Sequence, residues 1–399
     1  MIQSLKSLTG FAKILLVAVL YCFVSLGNAQ ARGELEQLLQ ANIPIPEINA
    51  KAWALLEVSS GTVIVGRNVD QPYPPASITK LMTNYIAFNK LRDGEINLSD
   101  AVTISEKAWR TGGSRMFAKV GSKVELEHVL KSTIIQSGND AAVALAEHIG
   151  GSELGFIQLM NRAASELGLQ QSHFANATGL PAPQHAMSAR DIAVLSAAII
   201  KQHPQFYLWY SEKEYTHNNI TQYNRNKLLW QDSSVDGLKT GFTEAAGYCL
   251  VGSAVRNKQR WIAVVLGSND EASRARAVKA LLDFAFAAFT PIRVLDQQGG
   301  LTAADVYMGE VDKVQLGTLG PVNVVVPVGR EQDLVSEFRL SPYYQAPIEI
   351  GQAMGVVSLS LDNKLLVDVP LVSMSTIRDG GWWVRLVDGI RLKIRELGE

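Results

Sequence analysis

Strand-like segments stand at both ends of the first 290 residues, and helical segments fill the interval between them. Near the start, two short apolar runs at 53–58 and 62–65 flank a Ser-Ser-Gly turn and predict a β-hairpin. Three further strand-like runs follow residue 228: VDGLKTG, GYCLVGSAV and RWIAVVLGS. Strands at both ends of one segment favour an α+β domain whose first and last strands share an antiparallel sheet.

The interval between these strands reads as a helical subdomain. After two prolines, apolar residues recur at helical spacing and predict one apolar helix face: Ile78, Leu81, Met82, Tyr85 and Ile86. Further helical segments are VELEHVLKSTIIQ, DAAVALAEHIGG, LGFIQLMNRAASELGL and SARDIAVLSAAIIKQ, and SRARAVKALLDFAFAAF closes the domain. Several of them end in glycine, which is typical of helix C-termini.

Both ends of the chain differ from the domain that we assign to 32–290. Residues 1–31 carry two lysines, the apolar run ILLVAVLYCFVSL and a final Ala-Gln-Ala, so we interpret them as a secretory signal peptide. An uncleaved membrane anchor is the alternative. Residues 291–378 contain short β-branched runs punctuated by Gly, Pro, Asp and Asn. They predict a small all-β domain of the sandwich type.

The last segment, 379–399, predicts an amphipathic helix. Apolar residues share one side of its helical wheel: Trp382, Trp383, Leu386, Val387, Ile390, Ile394 and Leu397. Charged residues take most of the other: Arg385, Asp388, Arg391, Arg395 and Glu396. Lys393 and Leu392 break the pattern. A basic amphipathic helix with paired tryptophans suits a membrane-anchoring role at the membrane surface. A helix docked on its own protein is the alternative interpretation.

Composition excludes several classes of function. The chain has 37 Lys and Arg against 38 Asp and Glu, so it lacks the basic excess of a nucleic-acid-binding protein. Its six histidines show no metal-ligand spacing such as H-E-x-x-H, and we predict no metal and no cofactor. Once residues 1–31 are removed, Cys249 is the only cysteine; its apolar surroundings predict a buried thiol without a disulfide.

The segment PPASITK places a serine and a lysine one turn apart at the start of a helix. Ser77 and Lys80 would face the same way, so the amine can reach the hydroxyl. The positive end of the helix dipole and partial burial both disfavour the ammonium form, which would let Lys80 act as a base towards Ser77. The Ser77 backbone N–H could serve a developing oxyanion. On this motif alone, a surface lysine beside an N-capping serine is the commoner explanation.

Two further elements follow in the same chain. A Ser-Gly-Asn triplet lies at 137–139, and a Lys-Thr-Gly triplet lies at 239–241 on a predicted strand. Together with Ser-x-x-Lys at 77–80, this ordered set resembles the penicillin-recognising serine acyltransferases. The order of signal peptide, acyltransferase domain, small β domain and amphipathic helix resembles the low-molecular-mass penicillin-binding proteins that are D-alanyl-D-alanine carboxypeptidases.

The resemblance implies catalytic roles for five residues. Ser77 would be the acylated nucleophile, and Lys80 its general base. Ser137 would relay a proton to the leaving D-alanine, while Lys239 would tune that relay electrostatically. Asn139 would hold the Lys80 amine and the substrate amide.

The resemblance also implies a set of substrate-binding residues. The oxyanion would lie between the backbone N–H groups of Ser77 and Phe242. Thr240 would bind the terminal carboxylate, aided by Arg274, and Gly241 would leave room for substrate to pair along the strand edge. Several relatives carry a polar residue, often His, where this chain has Phe242, so its deacylation rate or its choice of substrate can differ.

Two further residues fall where the family has loops bordering the cleft. Asp191 stands at a helix start, where an aspartate is usually a cap, and Arg225 in YNRNKLL is more often structural than functional. We therefore rank both below the three motifs as candidates.

Three other functions share parts of this pattern. A class A β-lactamase needs a carboxylate for deacylation, and its usual Glu-x-x-Leu-Asn signature is absent between residues 139 and 239. A non-catalytic β-lactam sensor needs several membrane spans before its sensor domain, whereas this chain has one short apolar run. A wall-binding protein with a dead site would not need the complete motif set.

The sequence therefore predicts a periplasmic serine carboxypeptidase, peripherally anchored to the outer face of the bacterial inner membrane. It would remove the terminal D-alanine from peptidoglycan pentapeptides during cell-wall remodelling, with β-lactams as covalent inhibitors. Endopeptidase activity and pairing into a homodimer are left open by the sequence.

Overall fold

The structure, a computed structural model, describes residues 44–296 and 300–396. The predicted signal peptide, 1–31, lies outside these residues. The described chain divides into two compact units, 44–289 and 290–396. No helix in the described ranges is long and apolar enough to cross a membrane.

A five-stranded antiparallel sheet forms the base of the first unit. The strands of this unit are β1 (Ala52–Glu57), β2 (Thr62–Arg67), β3 (Ala101–Thr103), β4 (Lys123–Glu125), β5 (Glu214–His217), β6 (Ile220–Tyr223), β7 (Val235–Thr243), β8 (Gly247–Arg256) and β9 (Gln259–Ser268). The sheet order is β2-β1-β9-β8-β7, with every neighbouring pair antiparallel. The first and last strands thus share one sheet, as predicted, and β7 forms one edge of it.

Helices, together with the strand pairs β3–β4 and β5–β6, build the rest of this unit. The helices are α1 (Lys80–Arg92), α2 (Glu106–Arg110), α3 (Leu126–Ile135), α4 (Asn139–Gly150), α5 (Glu153–Glu166), α6 (Ala189–Gln202), α7 (Pro204–Tyr207), α8 (Leu228–Gln231) and α9 (Glu271–Ala288). Both α6 and α9 pack on the sheet. The central strands are buried along most of their length, because helices cover them.

Helix α1 differs from its sequence pattern. The apolar spacing predicts one buried face, yet every residue from 80 to 88 is buried, so α1 runs through the middle of the helical subdomain. Its polar side chains are accommodated by hydrogen bonds: Thr83 donates to the Ala177 carbonyl, and Asn84 bonds Tyr210 and Thr133. Such bonds remove most of the cost of burying amide and hydroxyl groups.

A short hairpin, β5–β6, precedes the strand region that the sequence predicts from residue 228. Its turn is formed by Asn218 and Asn219, whose φ angles of 50° and 61° are typical of a two-residue type I′ turn. The hairpin continues directly into 223–225, which line the candidate active site.

The second unit contains two sheets. Its strands are β10 (Phe289–Leu295), β11 (Thr302–Tyr307), β12 (Lys313–Gly317), β13 (Val322–Pro327), β14 (Val335–Leu340), β15 (Tyr344–Gln345), β16 (Ala353–Leu361) and β17 (Lys364–Ser373). Six of them pair in the order β14-β16-β17-β12-β11-β15, and β10 pairs with β13. Val324 and Val326 from the small sheet join Val357, Leu359 and Leu371 from the large one in a single core. This matches the predicted all-β domain of sandwich type.

A terminal helix, α10 (Trp382–Glu396), completes the second unit. It contacts the β domain through Asp388, whose carboxylate accepts a 2.8 Å hydrogen bond from the Met308 backbone N–H, and through buried Leu392. The apolar residues are instead exposed: Trp382, Trp383, Val384, Leu386, Val387, Ile390 and Ile394. The face that docks on the domain is therefore not the apolar face.

Candidate active site

The candidate nucleophile lies on a tight turn that leads into α1. A 3-10 helix, Ala76–Thr79, precedes Lys80, and Ala76 has a left-handed φ of 48°. Gly179 of a neighbouring loop packs closely against this turn. A Cβ added to Gly179 would lie only 1.8 Å from the Ala76 carbonyl oxygen. Surrounding contacts of this kind are needed to hold a non-glycine residue in the left-handed region. The turn leaves Ser77 half-buried and Lys80 fully buried.

Lys80 contacts three oxygen atoms. Its Nζ lies 3.1 Å from Ser77 Oγ, 2.6 Å from Asn139 Oδ1 and 2.7 Å from the Thr178 carbonyl oxygen. Burial, and to a lesser extent the positive charge of Arg225, lower the pKa of Lys80, and Asp140 opposes them; the net result is a pKa of about 7. At this pKa roughly half of the Lys80 amines are neutral at pH 7, against about one in a few thousand for an ordinary lysine.

The Ser-Gly-Asn triplet stands at the N-terminus of α4. Asn139 is the first residue of the helix; besides contacting Lys80, its Nδ2 donates a 2.7 Å hydrogen bond to the Gly112 carbonyl. Ser137 has a left-handed φ of 67°, and its buried Oγ has no hydrogen-bond partner among the described residues. A buried hydroxyl without a partner is uncommon and suits a site that a substrate completes.

The Lys-Thr-Gly triplet lies on the edge strand β7. The Lys239 amine is buried and donates a 3.1 Å hydrogen bond to the Thr240 carbonyl. Burial, and then the positive charges of Lys80, Arg225 and Arg274, hold the pKa of Lys239 well below its usual range. Gly241 faces the nucleophile turn, where an added Cβ would lie 3.0–3.2 Å from atoms of residues 75–77.

A cleft of about 540 Å³ joins these elements. It is lined by Ser77, Gly113, Ser114, Ser137, Tyr223, Asn224, Arg225, Lys227, Thr240, Gly241, Phe242, Tyr248, Glu271 and Arg274. Six of the nine predicted site residues line it directly. The other three, Lys80, Asn139 and Lys239, are buried, and the first two contact each other behind Ser77.

Arg274 and Phe242 lie on neighbouring parts of the cleft wall. Arg274 is buried at the start of α9, where its guanidinium donates to the Gly241 carbonyl at 3.1 Å and pairs with Glu271. Phe242 is 46% exposed and packs on Tyr248 with ring centroids 4.4 Å apart. The cleft thus has a cationic end and an aromatic wall.

The two lower-ranked candidates differ in position. Asp191 is buried, and its carboxylate accepts hydrogen bonds from the Gln171 N–H and the Ser172 hydroxyl, so it holds a loop. Arg225 lines the cleft and acts on both buried lysines through its charge. Its spacing from the motifs carries no signal, so sequence reasoning alone does not place it in the cleft. No group of three or more His, Cys, Asp or Glu side chains that could hold a metal occurs in 44–296 and 300–396.

Comparison with protein families matches both units. Residues 39–270 match the family described as peptidase S11, D-alanyl-D-alanine carboxypeptidase, which is more than half of the chain. This chain belongs to that family. The carboxypeptidase is thus a hydrolase that acts on peptidoglycan. Residues 289–379 match the C-terminal domain of penicillin-binding protein 5.

Individual relatives agree with this assignment. The carboxypeptidase is 37% identical to D-alanyl-D-alanine carboxypeptidase DacC of Escherichia coli, over 90% of this chain and 91% of that protein. A solved structure of penicillin-binding protein 5 from Haemophilus influenzae is similar, with a TM-score of 0.82 and 37% identity over 85% of this chain and 100% of that chain. Penicillin-binding protein D2 of Listeria monocytogenes in its ampicillin-bound form is 28% identical, with a TM-score of 0.56, and covers 61% of this chain and 99% of that chain.

Proposed function

We propose that the carboxypeptidase cleaves the terminal D-alanine from a peptidoglycan pentapeptide through an ester on Ser77. The observation that carries this is the short contact between the Ser77 hydroxyl and a buried lysine amine. Ser77 Oγ attacks the carbonyl carbon of the penultimate D-alanine while its proton passes to neutral Lys80. Because the pKa of Lys80 is lowered to about 7, the amine can accept this proton near neutral pH.

Other residues stabilise the oxyanion and protonate the leaving group. Backbone N–H groups of Ser77 and Phe242 stabilise the oxyanion, and the amide C–N bond then breaks. The proton from Lys80 passes through the Ser137 hydroxyl to the leaving amine, and Lys239 tunes this relay electrostatically. The unpartnered Ser137 Oγ supports this role. Water then hydrolyses the ester and frees Ser77.

Thr240 and Arg274 would fix the terminal carboxylate at the cationic end of the cleft. Arg225 lines the same cleft and adds positive charge there. The peptide would pair with the β7 edge, where Gly241 keeps the strand close to the nucleophile turn. β-Lactams would enter the same cleft and open their ring onto Ser77, which leaves a slowly hydrolysed ester.

Penicillin labelling tests the nucleophile. We expect a fluorescent penicillin to label the wild-type carboxypeptidase covalently and to leave Ser77→Ala unlabelled, since no other group supplies the attacking oxygen. Ser60→Ala, in the β1–β2 turn, is the matched control and should label normally. Absence of label on the folded wild type would contradict the proposal.

We also propose that the enzyme acts in the periplasm after removal of residues 1–31 and is held at the membrane surface by α10. The exposed apolar face supports this, because Trp382, Trp383 and Ile390 lie away from the β domain. Stacked indoles with basic neighbours suit the boundary between headgroups and acyl chains. The domain boundaries proposed with it are 32–290, 291–378 and 379–399.

Vesicle flotation tests the anchor. Ile390→Glu should release the carboxypeptidase from vesicles containing anionic lipid, because it places a charge on the face that would enter the membrane, and deletion of 380–399 should do the same. Val335→Glu is a matched control, since Val335 and Ile390 are 58% and 54% exposed. Activity on a soluble peptide should persist in all three variants. If Val335→Glu releases the protein equally, or the deletion leaves it bound, α10 is not the anchor.

A further inference from the structure

We propose that His185 is a positioning residue for the general base: it fixes the loop whose Thr178 carbonyl orients the Lys80 amine. The inference rests on the proposed role of Lys80 and adds a residue outside the three motifs. His185 lies more than a hundred residues from Lys80 in sequence and does not line the cleft.

The loop between residues 173 and 187 is tied at its base and shaped at its tip. Its base is closed by β-bridges that pair His173 with Ala186 and Tyr73 with Met187. At its tip, the Asn176 Oδ1 accepts hydrogen bonds from the N–H groups of Thr178 and Gly179, at 3.1 and 2.7 Å. This turn directs the Thr178 carbonyl at Lys80.

His185 joins this loop to the nucleophile turn. Its Nδ1 accepts a 3.0 Å hydrogen bond from the Ala175 backbone N–H. Because a backbone N–H can only donate, Nδ1 carries no proton, and the neutral ring must carry its proton on Nε2. Nε2 lies 2.8 Å from the hydroxyl oxygen of Thr79, the residue directly before Lys80. One buried imidazole thus bridges the loop and the turn.

The imidazole stays neutral in this position. Burial, and to a lesser extent the neighbouring His173, lower the pKa of His185 to about 4. A protonated ring would lose its acceptor at Nδ1 and leave the Ala175 N–H unpaired. The bridge is therefore constant across the pH range in which the enzyme would work.

The bridge affects how the neutral Lys80 amine is oriented, because a neutral amine carries only two hydrogens. Neutral Lys80 has two N–H bonds and one lone pair, and three oxygens surround it. When Asn139 Oδ1 and the Thr178 carbonyl accept the two hydrogens, the lone pair is left for the Ser77 hydroxyl proton. If the Thr178 carbonyl moves away, the amine can rotate and donate to Ser77 instead, which is the wrong polarity for a base.

A looser loop would also admit water to Lys80. Burial is the main cause of its lowered pKa, so hydration would raise that pKa towards the ordinary value. The charged groups that face Lys80 from other elements, Arg225, Asp140 and Lys239, are unchanged by substitution of His185. The acid limb of the acylation rate, which follows deprotonation of Lys80, would then move to higher pH.

The test compares the second-order rate of acylation by penicillin, measured against pH, with thermal unfolding of each variant. We expect His185→Ala to slow acylation by about tenfold or more and to move its acid limb to higher pH. His185→Gln should restore most of both properties, because its carbonyl can accept from Ala175 and its amide can donate to Thr79.

His203→Ala is the matched control. His203 is also buried, and its pKa is also lowered to about 4. Its Nε2 bonds Asn89, which lies near the end of α1 that is far from Lys80. It should lose stability and keep the wild-type acylation rate and acid limb.

Three outcomes would overturn the proposal. They are a wild-type profile in His185→Ala, an equal shift in His203→Ala, and no recovery in His185→Gln. Should His185→Ala not fold, Thr79→Val removes the same bridge from the other side and must show the same shift. Wild-type acylation of a Lys80→Ala variant would instead refute the proposed base, which separates the two failures.

Discussion

Gly241 shows at the scale of one residue how the sheet and the nucleophile turn are fitted together. A Cβ here would approach the Pro75 carbonyl oxygen, Ala76 Cβ and the Ser77 backbone nitrogen at 3.0–3.2 Å. These atoms belong to the turn and cannot yield without moving Ser77. We expect Gly241→Ala to lower kcat/KM for a D-Ala-D-Ala peptide by about tenfold or more, with a small change in Tm.

Gly320→Ala provides the control for this substitution. Gly320 lies in the second unit with no atom within 4 Å of an added Cβ, so both activity and stability should stay at the wild-type level. Equal activity in the two variants would show that the turn tolerates the contact.

Arg225 gives a pH prediction. Its positive charge disfavours the ammonium form of Lys80, so Arg225→Gln should raise the pKa of Lys80. Because the base must be neutral to accept the proton, the acid limb of acylation should move to higher pH. The shift should be small and should shrink in high salt, since Arg225 is exposed and its charge is screened. A limb that moves to lower pH would contradict this assignment of the charge effect.

Sequence reasoning reached Ser77, Lys80, Ser137, Asn139 and Lys239 because their spacing within short motifs carries the signal. It could not reach His185, whose partners Thr79 and Ala175 meet it only in the folded chain. A histidine without metal-ligand spacing has no distinguishing pattern of its own. Arg225 likewise belongs to none of the three motifs.

At the scale of elements, α10 illustrates why a helical wheel alone can mislead. The wheel assigns Asp388 to the solvated side and leaves Leu392 as an exception, yet these two residues, four apart, form the stripe that meets the β domain. The docking side is thus narrow and partly polar. Docking on the same protein is the alternative interpretation of this helix, but the wheel does not identify Asp388 and Leu392 as the residues that dock.

This contact predicts the behaviour of Asp388→Ala. The change leaves the Met308 N–H without its acceptor and should weaken docking of α10 by about 1–3 kcal/mol. We expect limited proteolysis within 382–396 to accelerate, while kcat/KM on a soluble peptide stays unchanged. Asp388→Asn retains an acceptor oxygen and should be cut at close to the wild-type rate; equal rates for both variants would contradict this docking role.

The hairpin β5–β6 was missed although its turn has a readable signal. Asn218-Asn219 stands between two short runs of alternating residues, which is a pattern of two-residue hairpins. Helix α1 was identified but assigned the wrong surroundings, because its buried polar residues depend on partners such as Tyr210 and Thr133 from distant parts of the chain.

At the scale of the whole molecule, we expect the first unit to fold and to act without the second. The unit 44–289 contains the complete cleft and its own core. The Listeria relative, 99% of which matches 61% of this chain, shows that a chain of about that extent forms a penicillin-binding protein. We therefore expect residues 44–289 expressed alone to fold and to hydrolyse a soluble D-Ala-D-Ala peptide at close to the rate of the full protein.

Circular dichroism and penicillin labelling of this fragment check the expectation. Ser77→Ala within the same fragment is the control for labelling. A folded fragment that fails to label would mean that the second unit contributes to catalysis.

The position of β7 at the edge of the sheet has a consequence for solubility. An unpaired strand edge invites pairing with any extended chain, including another copy of the same protein, and is a common origin of aggregation. Here the Ala76–Thr79 turn packs beside the edge at Gly241, and Arg274 bonds the carbonyl of the same residue. The same turn and arginine that would position a short peptide terminus at this edge therefore also hinder its pairing with a second sheet. The enzyme can thus leave this strand edge without a partner strand and not polymerise through it.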